Sequence, residues 1–223
     1  KSALACDPIS AFGGIVSCNF KIKKKLALEL SKLFLEVIIG VNFDQDALKI
    51  LKRKKNLRLI DASNFTLSET LKFNSTNDNI LVQSEDKKIF KRNDFKIVSK
   101  KKPSISLFND LIFAFNICRY VKSNAIVLAS NKSTLGIGCG QTSRLDSCQI
   151  AIDKMKKFTK PSKDIVAASD AFFPFTDGIE KLVQSGVKAV IQPAGSIKDK
   201  EVIKFANETG TILVFSKTRH FRH

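Results

Sequence analysis

Three stretches of this 223-residue chain place charged groups beside aromatic rings or glycines, at spacings that could do chemistry. In the first, residues 167–178, Phe172, Phe173, Pro174 and Phe175 sit between Asp170 and Asp177. A plain connector faces water and is polar. This one has the composition of a pocket wall with a polar handle, or of rings that plug a core beneath a turn. In the second, residues 134–144, Gly136, Gly138 and Gly140 thin one face of a strand so that something can approach it closely. Arg144 follows in the first turn of a helix, where a cation opposes the helix dipole. That placement makes sense if Arg144 faces an anion or a carbonyl. The third stretch, 218–223, loads Arg219, His220, Phe221, Arg222 and His223 onto the end of an apolar run. Such a tail is either frayed or part of a site.

Two smaller signals lie earlier. Gly13 and Gly14 allow either close backbone approach by a ligand or a tight bend. Glu36, at the mouth of an apolar strand, is a candidate polar contact or a solvated strand end. The glycines do not form a dinucleotide fingerprint, which needs Gly-x-Gly-x-x-Gly opening a helix. No Gly-Lys-Ser/Thr ending makes a phosphate loop of them.

The elements that must carry these groups follow from periodicity. Residues 24–35 have helical apolar spacing at Leu26, Leu30, Leu33 and Phe34, and 37–41 reads as a short buried strand. Asp44 is placed to cap the next helix, and 57–60 is strand-like. Residues 61–102 are polar and informative only at the strand pieces 80–83 and 95–98. Lys100-Lys101-Lys102-Pro103 is the best linker in the chain, so the expected division is 1–102 and 103–223. Beyond it the pattern predicts a helix over 106–121 and a strand over 125–129. Ser143 or Asp146 caps a helix carrying Ile150 and Met155. Then strands 165–168, 187–191 and 211–215 alternate with helices 179–185 and 198–208. Alternation with short links predicts an α/β layered sheet, with functional groups gathered at its strand ends. The links at 170–178, at Pro193-Ala194-Gly195-Ser196 and at 218–223 fall there.

The chain is 43% hydrophobic, enough for a packed core, and no run of about 18 apolar residues suggests a membrane span. It starts at Lys1 in element-like sequence, which reads as a piece whose own N-terminus lies upstream. Five cysteines with no Cys-x-x-Cys spacing fit free thiols in a reducing cytoplasm. The histidines stand together at the far end, so no metal site is expected. A net charge of +17 raises a basic nucleic-acid-binding domain as an alternative. The lysines, however, come in scattered runs at 21–25, 52–55, 87–92 and 100–102 that avoid the aromatic-rich links.

Five blocks, in order, resemble one family. They are Asp7-Pro8-Ile9-Ser10-Ala11-Phe12-Gly13-Gly14, Ser123-Asn124-Ala125-Ile126, Gly138-Cys139-Gly140-Gln141-Thr142-Ser143-Arg144, Ser169-Asp170-Ala171-Phe172-Phe173-Pro174-Phe175 and Arg219-His220-Phe221-Arg222-His223. The family is the bifunctional purine-biosynthesis protein that joins aminoimidazolecarboxamide ribonucleotide (AICAR) transformylase to inosinate (IMP) cyclohydrolase. The resemblance covers nearly the whole chain and implies the C-terminal part of the transformylase region. It implies a fold of two tandem cytidine-deaminase-like α/β/α units, the first truncated at its N-terminus. The zinc deaminase signature is absent, so no metal is implied.

The implied activity is transfer of a formyl group from 10-formyltetrahydrofolate, a co-substrate, to the 5-amino group of AICAR. A homodimer with interfacial sites is implied as well, with no nucleic-acid or membrane partner. Carried over residue by residue, the AICAR contacts fall on Gly13, Glu36, Asn124, Arg144, Phe172 and Arg219. The folate contacts fall on Leu145, Asp177, Ser196 and Ile197, and Asn124 and His223 support the chemistry. The chemical types suit these roles: a guanidinium for phosphate, amide and guanidinium for a carboxamide, and a ring face for a flat heterocycle. The family's adjacent Lys-His proton-transfer pair occurs nowhere in this chain. The fragment alone is therefore expected to be inactive. A non-catalytic remnant is the other alternative, against which Asn124, Arg144, Asp177 and Arg219 all stand intact.

Overall fold

A computed structural model describes residues 1–66, 71–160 and 163–222. The chain divides into two compact units, Lys1 with 7–85, and 2–6 with 86–223. A short helix, α1 (Ser2–Cys6), thus belongs to the second unit.

The first unit is built on β1 (Gly14–Cys18), α2 (Lys24–Ser31), β2 (Leu35–Gly40), α3 (Gln45–Leu51) and β3 (Arg58–Asp61). The three strands pair in parallel in the order β1-β2-β3. Parallel neighbours need crossovers, and α2 and α3 supply them. Asp44 caps α3 as its position predicts, accepting a bond from the Ala47 amide at 2.6 Å, and its other oxygen accepts from the Lys24 amide at the start of α2. Ala27, Leu30, Leu35, Ile38, Ala47 and Leu51 form the core beneath one sheet face, while Ile15 and Ile60 stay exposed. An antiparallel hairpin, β4 (Leu71–Ser75) and β5 (Ile80–Ser84), completes the unit.

The second unit has three layers. Its strands are β6 (Phe95–Ile97), β7 (Ile126–Ser130), β8 (Ser133–Gly138), β9 (Ile165–Ser169), β10 (Val187–Pro193) and β11 (Ile212–Ser216), in the order β6-β11-β10-β9-β7-β8. β9, β10 and β11 run parallel, and β6, β7 and β8 are antiparallel to their neighbours. One face is covered by α4 (Ile105–Cys118), and the other by α5 (Arg144–Phe158), α6 (Asp177–Gln184) and α7 (Asp199–Glu208). With both faces covered, β7, β9 and β11 are buried end to end, which is why they read as unbroken apolar runs. Pairing of β6 with β11 draws residues ahead of the Lys100–Pro103 link into this unit.

The glycines at 136 and 138 have a definite neighbour. A Cβ on Gly138 would lie 1.9 Å from the Ser147 carbonyl oxygen, and one on Gly136 would lie 2.0 Å from that of Ala151. The approaching body is therefore the backbone of α5, lying directly on β8. That contact fixes where the helix starts, and Arg144 is its first residue. The β7–β8 turn is held by buried Asp110, whose carboxylate accepts from the amides of Asn131 and Lys132, both at positive φ.

Candidate functional site

Arg144 is the hub. Ser143 caps α5 through its Oγ, which accepts from the Leu145 amide at 3.2 Å. The Arg144 side chain, 12% exposed, then spans three acceptors. Nη1 donates to the Phe172 carbonyl at 3.1 Å, and Nη2 donates to Asn124 Oδ1 at 2.7 Å and to Asp170 Oδ1 at 3.0 Å. The expectation that this cation faces an anion or a carbonyl is met twice over, within the protein itself. Its Nε is buried without a partner.

Asn124 is equally committed. Its Nδ2 donates to the carbonyls of Gln141 and Thr142 at 3.0 and 2.9 Å, and its own carbonyl accepts from Ser147 Oγ at 2.8 Å. Asn124 and Arg144 thus tie the end of β8, the start of α5 and the segment before β7 into one node. Asp170 completes it; the sequence placed this carboxylate beside the phenylalanines and gave it no role of its own. It is fully buried, and its second carboxylate oxygen accepts from Ser123 Oγ at 2.6 Å. Its carbonyl accepts from the His220 amide at 2.9 Å. The sequence signal available for Asp170 was a carboxylate directly after an apolar strand, a group that is buried only when paired.

Around this node the stretch 170–178 separates by side. Phe173 is core: its ring lies where a side chain on Gly178 would have to go, at 2.6 Å. Phe172 is half-buried. Phe175 is 60% exposed, so of the two alternatives for these rings it does not take the core one; the turn after Pro174 carries it into solvent. Asp177, exposed, is the first residue of α6, and its Oδ1 accepts from the Gly178 amide at 2.7 Å. Leu145 is half-buried on α5.

The tail is tied down rather than frayed through residue 222. The Ser123 amide donates to the Arg222 carbonyl at 2.9 Å, the Arg222 amide to Ser123 Oγ at 3.2 Å, and Arg222 Nη1 to the Tyr120 carbonyl at 3.0 Å. Arg219 is exposed, its guanidinium 4.5 Å from the Phe221 ring centroid. His220 is buried between them, and burial pushes its pKa below the usual histidine value, although Asp86 opposes that shift. His223 lies outside the described residues.

Ser196 and Ile197 sit on the link after β10. Ser196 Oγ accepts from the Lys198 amide at 3.1 Å, and Ile197 is 99% exposed. Among the described residues no hydrogen bond or ion pair joins this pair to the Arg144 node. It shares with Asp170 and Arg219 only a position beyond the C-terminal ends of the parallel strands, the usual ligand edge of such sheets.

Gly13 and Glu36 come together within the first unit. Gly13, at φ +73°, donates its amide to the Phe34 carbonyl at 3.0 Å, and a Cβ there would lie 3.9 Å from Glu36 Oε1. Glu36 also lines a cavity of about 700 Å³ with Lys54, Lys55 and Arg58.

Buried Cys148, behind the node, has its thiol pushed up to about 12 by burial, so it stays a neutral filler. Among the described residues no group of three or more His, Cys, Asp or Glu could hold a metal ion, and no helix is long and apolar enough to cross a membrane.

Comparison with known proteins bears on this arrangement. A sequence model of the family described as "AICARFT/IMPCHase bienzyme" matches residues 1–154. The "Bifunctional purine biosynthesis protein PurH" of Persephonella marina is 44% identical over 225 residues, covering 100% of this chain and 43% of that protein. Its namesake in Aquifex aeolicus is 44% identical over 221 residues, covering 99% of this chain and 43% of its own length. That of Petrotoga mobilis is 44% identical over 223 residues, covering 100% and 42%. The chain thus spans less than half the length of these relatives. With the family match running over well more than half of its residues, the chain belongs to the AICARFT/IMPCHase bienzyme family.

Proposed function

We propose that these 223 residues form part of the AICAR transformylase region of a bifunctional purine-biosynthesis enzyme, arranged as two tandem cytidine-deaminase-like units. The observation that carries this reading is the Arg144–Asn124–Asp170 node, set at the ligand edge of a parallel sheet, with the half-buried Phe172 ring and the exposed Arg219 on the segments bonded to it.

In this reading Arg219 meets the nucleotide phosphate and Phe172 the heterocycle. Asn124 and Arg144 have already used most of their hydrogen-bonding capacity on the protein. They act mainly as the rigid wall behind the carboxamide, with the remaining lone pair of Asn124 Oδ1 and the unpartnered Arg144 Nε as their spare groups. The family resemblance is what adds Gly13 and Glu36, of the first unit, to the residues proposed to touch the nucleotide. Leu145, Asp177, Ser196 and Ile197 hold the folate, the carboxylate of Asp177 facing the amide-like edge of the pterin.

The amine of AICAR is a weak nucleophile, because its lone pair delocalises into the ring and carboxamide. Formyl transfer joins this nitrogen to the formyl carbon through a tetrahedral oxyanion. The amine loses a proton, the bond from carbon to folate N10 breaks, and N10 takes up a proton. A base for the amine and donors for the oxyanion are required. The chain has no Lys-His dipeptide to serve, so the proton-transfer groups come from elsewhere in the whole protein, with His223 and Asn124 in support. The whole enzyme is a homodimer with sites between subunits.

The test is to purify the 223-residue chain and the full-length protein and follow tetrahydrofolate release from AICAR and 10-formyltetrahydrofolate. Turnover is expected from the full-length enzyme and none from the 223-residue chain. Robust turnover by the chain alone would overturn the assignment of the proton-transfer groups. No turnover by either, with neither ligand bound, would overturn the reading itself.

A further inference from the structure

A buried histidine on the tail has no part in the site as described. His220 sits between two exposed residues of the tail, Arg219 and Phe221, and is itself 1% exposed. Neighbours in an extended segment point to opposite sides, so whatever holds the His220 ring inward also holds Arg219 outward.

The ring has two kinds of contact and one unpartnered nitrogen. Its Nδ1 lies 2.5 Å from Asp86 Oδ2. Its faces and edges pack on Phe90 and Phe115, with centroids at 5.0 and 4.6 Å. Its Nε2 is buried with no partner. Asp86 lies far away in sequence and reaches the ring from a carboxylate still 38% exposed. The backbone of the same histidine is bonded on the opposite side, its amide donating to the Asp170 carbonyl. Asp170 is the residue that holds Arg144 and Ser123. One residue therefore joins the tail, the Arg144 node and the segment leaving β5.

We infer that Asp86 and His220 form a latch that seats the C-terminal tail, making His220 a positioning residue that presents Arg219 to an anionic substrate group. The inference rests on the functional reading above for the identity of that anion, here the nucleotide phosphate. The Nδ1 proton is donated to the Asp86 carboxylate. The bare Nε2 accepts nothing and, if protonated, would place a donor among phenylalanine rings with no acceptor. The charged groups that face the ring are Asp86, Arg119 and Asp170. Asp86 and Asp170 favour the protonated ring, while Arg119 and burial oppose it, and burial dominates. The latch is thus closed with a neutral ring and loosens as acid protonates it.

The test uses the full-length protein with His220→Phe, which keeps a ring against Phe90 and Phe115, together with Asp86→Ala, Asp86→Asn and the double variant Asp86→Ala/His220→Phe. His220→Phe and Asp86→Ala should each raise the KM for AICAR by about tenfold or more, the effect of losing one charge-assisted hydrogen bond. The kcat and the folate KM should stay within about threefold of wild type. Asp86→Asn, which keeps an acceptor, should recover most of the AICAR KM. The double variant should be no worse than the worse single variant, because both break the same contact. In wild type the AICAR KM should rise as acidification passes below the usual histidine range, and in His220→Phe the rise should be smaller, leaving the part due to the phosphate's own ionisation.

Hydrogen exchange supplies a readout independent of substrate. The amides of Ser123, His220 and Arg222 should exchange about tenfold faster in His220→Phe and Asp86→Ala, with β9 and β10 unchanged. Wild-type AICAR KM and tail protection in both variants would overturn the latch. So would effects of the two substitutions that multiply, or a loss confined to kcat. If full-length wild type does not formylate AICAR, the functional reading fails, and the exchange experiment still decides the latch.

Discussion

Two parts of the second unit face the same strand ends and are built in opposite ways. The Arg144 node is buried and internally bonded: Asp170 is fully covered, Arg144 nearly so, and Asn124 gives both amide protons to backbone carbonyls. Where Asp177, Ser196 and Ile197 sit, the links are open, and the Asp177 carboxylate and the Ser196 hydroxyl accept from amides of their own turns. The first arrangement is preorganised and rigid, so a ligand there meets a finished wall. The second leaves its side chains to be ordered by whatever binds. A change in the node should therefore cost stability and binding together, whereas a change in the links should touch binding alone.

The largest effect is expected from Asp170→Ala. It strands the Arg144 guanidinium in a nearly dry site and unties Ser123 and, through it, the tail. Removing one partner of a buried pair costs about 3 to 5 kcal/mol, so thermal and denaturant unfolding should both move sharply and nucleotide affinity should vanish. Stability within about 1 kcal/mol of wild type would break the contrast.

Gly138→Ala comes next. Its Cβ would overlap the Ser147 carbonyl, and overpacking of this kind costs roughly 1 to 3 kcal/mol. Because α5 must shift and Arg144 with it, AICAR binding measured by calorimetry should weaken along with stability. An unaffected affinity would mean that Arg144 is not placed by the contact of helix with strand.

The contrast is sharpest in a pair of smaller changes. Phe172→Ala should weaken AICAR binding by about tenfold through loss of the ring face. Asp177→Ala should raise the folate KM and leave unfolding within about 0.5 kcal/mol, as for exposed positions generally. Equal losses for both ligands, tracking stability, would return the whole 170–178 stretch to a packing role.

Acidification should have a modest effect of definite sign. Burial holds the folded pKa of His220 below its unfolded value near 6.5. The unfolded chain therefore takes up the proton first as the pH falls. The stabilisation is complete above about pH 6.5 and is lost as the pH drops from there toward the folded pKa. Unfolding measured at pH 7.5 and 5.5 should show a loss in wild type that is smaller in His220→Phe. The smallest effect should come from Ile197→Ser, where unfolding should not change and the folate KM should rise only slightly. A large stability change there would show the link to be packed after all.

Much of the second unit was legible residue by residue. The runs 125–129 and 165–168 are apolar throughout, and 187–191 and 211–215 are so apart from Lys188 and Thr211, because helices cover both faces of their sheet, and each became a strand. Ser143 capping α5 and Asp44 capping α3 were readable because a cap is a local bond spanning two or three residues. The alternate glycines announced a close approach, but the approaching partner, α5, could be named only once the helix was seen lying on β8. Phe173 and Phe175 are the same residue type two positions apart, and composition could not say that one is core and the other solvent-exposed. The hairpin at 71–84 is exposed along both strands, so burial left almost no pattern in its sequence to read.

The sequence by itself determined the family, the α/β alternation and the chemical types available for a site. Each of these depends on residue identity or on spacings shorter than one element. It also showed that Arg144 needed an acceptor, since a cation at a helix N-terminus is out of place without one. Only the tertiary structure decided that the acceptors are Asn124, Asp170 and the Phe172 carbonyl, brought from as far as 28 residues away. In the same way, it alone joined Asp86 to His220 across a separation of 134 residues. Pairings of this kind are set by strand order and helix docking, which leave no periodic trace in the chain. Burial then makes them obligatory, because a charge taken out of water must find its partner there.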